Sequence, residues 1–230
     1  VLIHNLSLNK LKQVDAFLQK HQGTPLDFPL RKKWLNYLAK RKRKSLFVNY
    51  FKYNQSAELT CLNYRYQLDL GYDQAEVLAQ VDDLWVVGKS QPKVCDPLFK
   101  RWQAAGHLTA DKVWQRVRLA ADGGKHTLIP YLTKLLPEKD RYLATLWHKV
   151  RRNSARVSRL SAFKNKNAKE AEILTYGLKR LIWRQPEQAI KVFEQAKRNY
   201  PFTEQQLGSI TAKFSLALAS KKHKKAQYWL

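Results

Sequence analysis

Two thiols, six imidazoles and eight glutamates carry most of the nucleophilic, metal-binding or acid–base potential of this sequence, and their spacing limits what they can do. Cys61 and Cys95 stand 34 positions apart. That distance fits one disulfide, and it equally fits two separate buried thiols. No Cys-x-x-Cys or His-x-x-x-His spacing accompanies them, so neither a metal set nor a cofactor is expected. His4, His21, His107, His126, His148 and His223 are scattered and read as surface or capping residues. Glu58, Glu76, Glu138, Glu187 and Glu204 fall where helices should begin, and acids there favour the helix dipole. No glycine-rich phosphate loop is present. No residue is therefore assigned a catalytic role.

The strongest chemical signal is charge. The formal net charge is +25, from 43 Lys and Arg against 18 Asp and Glu. Such an excess points to an anionic partner: nucleic acid, anionic lipid or a cell-wall polymer. The segment from Arg141 to Lys169 is basic throughout and contains no acid. Within it, Arg151, Arg152, Arg156, Arg159, Lys164 and Lys166 form the candidate polyanion-contact surface. The run Lys40-Arg41-Lys42-Arg43-Lys44 reads instead as a solvated helix end. Trp34, Trp85, Trp102 and Trp114 sit on apolar helical faces and read as core rather than as sugar-stacking platforms; Trp147, Trp183 and Trp229 are open to either reading.

Helices must position these groups. Apolar residues recur at helical spacing from Ser7 to Gln22, Leu30 to Arg43, Ala57 to Leu70 and Asp73 to Trp85, and again after Thr109. Leu46 to Tyr53 is a short aromatic stretch, and Asn153 to Ala168 is irregular. Asp73 with Glu76 and Thr203 with Gln206 have capping-box spacing. Gly88 is placed to end the helix through Val87 by taking positive φ. Asp96 is placed to cap the next helix, with Pro97 in its first turn. Gly71, Gly88, Gly106 and Gly123 recur every 17 or 18 residues. A turn at that interval gives a hairpin about every 35 residues, the size class of tetratricopeptide solenoids, although their residue pattern is missing. No strand alternation occurs, so the expected fold is all-α. No apolar run is long enough to cross a membrane. Val1 in place of a starting Met suggests a mature or trimmed chain, and Lys221 to Leu230 reads as the start of a further helix.

The stretch from Leu84-Trp85 through Gly88-Lys89-Ser90-Gln91-Pro92 to Cys95-Asp96, Leu98-Phe99 and Trp102, with Cys61 one hairpin upstream, resembles the soluble lytic murein transglycosylases of Gram-negative bacteria. The likeness extends to Val14–Leu18, Trp34–Ala39, Ala57–Gly71, Arg116–Ala120 and Tyr176–Leu181. It covers nearly the whole chain and is strongest from Ala57 to Leu136.

The resemblance implies the family's helical superstructure: a right-handed superhelical array of stacked hairpins over residues 1–230. It also implies a Cys61–Cys95 disulfide and hence a periplasmic location. The family cleaves the β-1,4 link between N-acetylmuramic acid and N-acetylglucosamine to a 1,6-anhydro product. It uses a Glu-Ser motif, a Gly-Leu-Met-Gln segment and an Ala-Tyr-Asn-Ala-Gly segment. None occurs here, since no Glu precedes a Ser. The catalytic domain is therefore expected outside these residues, and this chain is expected to be a non-catalytic scaffold. Its expected partners are peptidoglycan, its own catalytic domain and a cell-wall protein. The alternative is a basic helical module for nucleic acid or a protein partner; a disulfide argues against the cytosolic form of that role.

Overall fold

The computed structural model describes residues 2–52 and 55–229; Tyr53 and Leu230, named above at the ends of two stretches, lie outside them. The described residues are helical or irregular, with no strand among them. They divide into two units, one running to Thr109 and the other starting at Ala110.

In the first unit, α1 (Leu11–Lys20), α2 (Asp27–Lys40), α3 (Lys44–Tyr50) and α4 (Ala57–Asp69) enclose a core of Val14, Leu18, Trp34, Leu35, Leu38 and Phe47. These are the apolar positions that helical spacing picks out. One polar group is buried with them. The Arg31 guanidinium makes a bidentate pair with Asp27 (2.6 and 2.9 Å) and donates to the Tyr50 carbonyl (2.8 Å), tying the start of α2 to the end of α3. The basic run after α2 is a helix end, as read: Arg41 lies over the Tyr37 ring, and Lys44 pairs with Asp69 at 2.8 Å.

The segment from Asp73 to Trp85 is two short helices, α5 (Gln74–Ala79) and α6 (Asp82–Trp85), rather than one. The Asp73 carboxylate caps α5 by accepting from the Glu76 N–H at 2.8 Å. The break has a local cause. The Gln80 side-chain amide donates to the Glu76 carbonyl, the acceptor its own backbone N–H would use, and that N–H turns to Val77. Two further expectations fail nearby. The helix has already stopped at Trp85, with Val86 as its C-cap, so Gly88 does not terminate it. Asp96 lies inside the first turn of α7 (Asp96–Ala104) rather than capping it, because a 3-10 turn at Lys93–Cys95 runs straight into that helix. Gly71 and Gly106 do take positive φ, +83° and +84°, where a side chain would be strained.

The second unit has α8 (Ala110–Ala121), α9 (Ile129–Leu135), α10 (Glu138–Arg152), α11 (Ala168–Arg184), α12 (Pro186–Lys197), α13 (Glu204–Ser220) and α14 (Ala226–Trp229). Three helices pack both on the next and on the next but one: α2 on α3 and α4, α8 on α9 and α10, and α11 on α12 and α13. That is the contact pattern of stacked hairpins. Helix α11 is the hub. It buries Ile173, Leu174, Leu178, Leu181 and Ile182 and meets α10, α12 and α13. Thr203 and Gln206 complete both halves of a capping box at the start of α13. Trp229 closes the unit against Phe193 and Phe214.

Of the tryptophans, Trp34, Trp85, Trp102, Trp114, Trp147 and Trp229 are buried, and Trp183 is half-exposed beneath Lys213. Among the described residues no helix is long and apolar enough to cross a membrane.

Candidate polyanion-binding segment and disulfide

Helix α10 delivers the basic segment. Its last turn carries Lys149, Arg151 and Arg152, where cations complement the carbonyl end of the helix. Two 3-10 turns follow, Ser154–Ser158 and Leu160–Ala162, anchored by buried Val157 and Phe163. Beside these anchors Arg156 and Arg159 are exposed, as is Arg152. Arg151 is set apart from the other five: it is half-buried, and its Nε is buried without an acceptor.

Lys164 and Lys166 are exposed on an irregular stretch whose alternate residues are pinned. The Asn165 and Asn167 amides donate to the Tyr142 hydroxyl (2.7 and 3.3 Å), and Tyr142 donates to Glu170 Oε1 (3.2 Å). The Asn165 backbone N–H also donates to Glu170 Oε1, and Asn167 caps α11 by accepting from the Glu170 N–H. Burial pushes the Tyr142 hydroxyl up in pKa, against the two amides, which draw it down. The result is a fixed rail that sends Lys164 and Lys166 outward. Lys166 adopts φ 49°, a left-handed turn that sets its direction.

The two lysines border a cleft of about 600 Å³ lined also by Leu160, Ser161, Asn199 and Tyr200. The Tyr200 hydroxyl donates to the carbonyls of Leu160 and Phe163 (3.1 and 3.0 Å), holding the loop to the residue that follows α12. Desolvation, then the Glu170 charge, raise its pKa. This arrangement offers cations and hydrogen-bond donors to an anion.

The Glu170 side chain is fully buried in the first turn of α11. Its role is to hold the lysine rail. A charge preceded by Asn residues three and five positions earlier is a weak signal, and only the fold brings Tyr142 to it. Two of the scattered histidines meet in the fold. His126 Nδ1 and His148 Nε2 meet at 3.3 Å, although 22 positions separate them. No group of three or more candidate metal ligands exists among the described residues.

Cys61 and Cys95 are bonded, with Cα atoms 5.1 Å apart, and both are fully buried. The bridge joins α4 to the 3-10 turn before α7. The Arg65 guanidinium donates to the Val94 carbonyl (3.0 Å) at the same junction. The Trp102 indole donates to Asp82 (2.9 Å) and packs on Trp85, so the loop between α6 and α7 is gripped on both sides.

Known proteins share this architecture. The lytic transglycosylase Slt of Pseudomonas aeruginosa, solved as an inactive mutant, matches at 34% identity and a TM-score of 0.76, over 95% of this chain and 35% of that one. The 70-kDa soluble lytic transglycosylase of Escherichia coli matches in fold with a TM-score of 0.75 over the same shares, at 20% identity. In sequence, the soluble lytic murein transglycosylase of Salmonella typhimurium is 29% identical over 133 residues, which are 57% of this chain and 20% of that protein. The Escherichia coli K12 protein of the same name is 28% identical over the same length. The chain thus spans about a fifth of the curated relatives and about a third of the solved ones. A family model for the Cucumovirus coat protein matches residues 72–163, a stretch that starts in one structural unit and ends in the other. The sequence relatives, over 57% of this chain, and the structural neighbours, over 95% of it, are all soluble lytic transglycosylases: the chain belongs to the soluble lytic murein transglycosylase family and represents its helical superstructure region.

Proposed function

We propose that this chain is the non-catalytic, superhelical scaffold of a periplasmic lytic murein transglycosylase. The observation that carries the reading is the match to Pseudomonas Slt, which takes in almost all of this chain and only a third of that protein. In this reading the full-length form cleaves the bond between N-acetylmuramic acid and N-acetylglucosamine to a 1,6-anhydro product. Its catalytic domain lies outside these residues, and the scaffold holds that domain against the cell wall. The buried Cys61–Cys95 bridge supports an oxidising compartment. The exposed cations Arg152, Arg156, Arg159, Lys164 and Lys166 support contact with the carboxylates of peptidoglycan.

Co-sedimentation with purified sacculi tests the proposal. The chain is expected to bind at low ionic strength and to be released as salt is raised to about 0.5 M, where screening falls to a few ångströms. Binding that ignores salt overturns the charge-driven mechanism. Preferential binding to duplex DNA over sacculi at equal salt supports the nucleic-acid alternative instead.

A further inference from the structure

A second group of cations gathers away from the lysine rail. Helices α8, α10, α11 and α13 enclose a cleft of about 270 Å³ lined by Arg118, Trp147, Tyr176, Lys179, Arg180 and Lys213. Two acids share it. Glu172 is already committed: it accepts from the Trp114 indole (3.1 Å) and pairs with Arg118 (3.3 Å). Asp122 is exposed at the rim.

The wall formed by α10 is unusual. Trp147 and Arg151 stand one turn apart on the same helical face. Trp147 is 1% exposed, yet its indole N–H finds no acceptor. The Nε of Arg151 is likewise buried without an acceptor, and the Arg151 charge reaches the Tyr176 hydroxyl. Buried donors are almost always paired in folded proteins, so the orphan indole of Trp147, which lines the cleft, calls for an outside acceptor; Arg151 stands one turn on, outside the lining. Tyr176 does not supply it; its own hydroxyl donates to the Ala121 carbonyl at 3.1 Å, and Arg180 lies over its ring at 5.4 Å.

We propose that this cleft binds the free carboxylate of a short peptide. The cations outnumber the acids, and one acid is spent on Trp114 and Arg118. The Asp122 carboxylate at the rim disfavours a compact dianion such as phosphate. The part-exposed Tyr176 ring offers apolar contact for the carbons beside a carboxylate. The volume suits the end of a peptide and not a glycan strand or a duplex. A peptide end has two sources, a cell-wall peptide or a protein tail, and residue chirality separates them.

The test is a titration of the isotope-labelled full chain followed by NMR at the indole N–H of Trp147, assigned by its loss in Trp147→Phe. The probes are L-Ala-L-Ala, D-Ala-D-Ala, the C-terminal amide of each, and inorganic phosphate. The expected result is a saturable shift with the acids and none with the amides, with the tighter enantiomer naming the source. Lys179→Gln combined with Lys213→Gln is expected to weaken binding at least tenfold with an unchanged thermal melt. An equal response to the amides, an equal affinity for phosphate, or a silent indole resonance overturns the proposal. The scaffold reading fails separately: sacculus binding with a silent cleft defeats only the peptide site, and a responsive cleft without sacculus binding defeats only the scaffold.

Discussion

At Gly177 there is room for a hydrogen and nothing more. A Cβ there would collide with Val157 Cγ1 and come within 2.7 Å of Val150 Cγ1. The glycine lets α11 sit directly on α10 and the turn after it, where the basic segment begins. Gly177→Ala is expected to destabilise by about 1–3 kcal/mol through overpacking, read as a lowered midpoint in urea. An unchanged midpoint would show that the valines yield without cost. The histidine pair has a consequence in acid. Burial, then the charges of His126 and Arg152, hold His148 below its ordinary pKa. Between that lowered value and the ordinary one, the unfolded chain binds more protons than the folded chain, so stability falls as pH drops through this range. Thermal melts from pH 7.5 to 5 are expected to decline, and His148→Gln, which keeps a hydrogen-bonding side chain beside His126, is expected to flatten the decline. A variant that melts with the parent's pH profile would remove His148 from the account.

Among elements, the α4–α7 junction is fixed covalently. Closing a loop of 34 positions contributes about 3–4 kcal/mol in the chain-entropy model. Cys61→Ser with Cys95→Ser is expected to lose most of that, seen as a lower unfolding midpoint that reductant no longer changes; a loss well under 1 kcal/mol would refute the entropic estimate. The elements themselves were largely readable. Long amphipathic segments such as α8 and α11, and local caps such as Ser56, Asp73 and Thr203, depend on residues three or four apart, which a sequence displays directly. What escaped reading depends on distant partners or on a contest for one acceptor. Gln80 splits α5 from α6 by taking the Glu76 carbonyl, and a 3-10 turn displaces Asp96 from its cap. Glu170 is buried because Tyr142 and Asn165 converge on it. Of the candidate site, the exposed cations were legible as a run without acids. The departure of Arg151 toward Tyr176 was not, since it depends on which face of α10 meets α11.

For the whole molecule, a formal net charge of +25 makes ionic strength the governing variable. Lys164→Glu with Lys166→Glu, on a rail held by Tyr142 and Glu170, is expected to weaken sacculus binding severalfold at low salt and to leave the melting temperature within a degree or two, since exposed charges contribute little to stability. Equal binding by parent and variant would move the contact to other cations. The bridge between Cys61 and Cys95 also changes the topology of the polypeptide. Residues 61 to 95 form a closed covalent ring, with the rest of the chain as two tails. A protease that cuts once inside that ring, for instance after exposed Lys89 or at Ser90, opens it without parting the molecule. The nicked chain keeps its mass on a non-reducing gel and separates into two fragments only when a thiol is added, so this loop of the first unit can be severed without loss of either half.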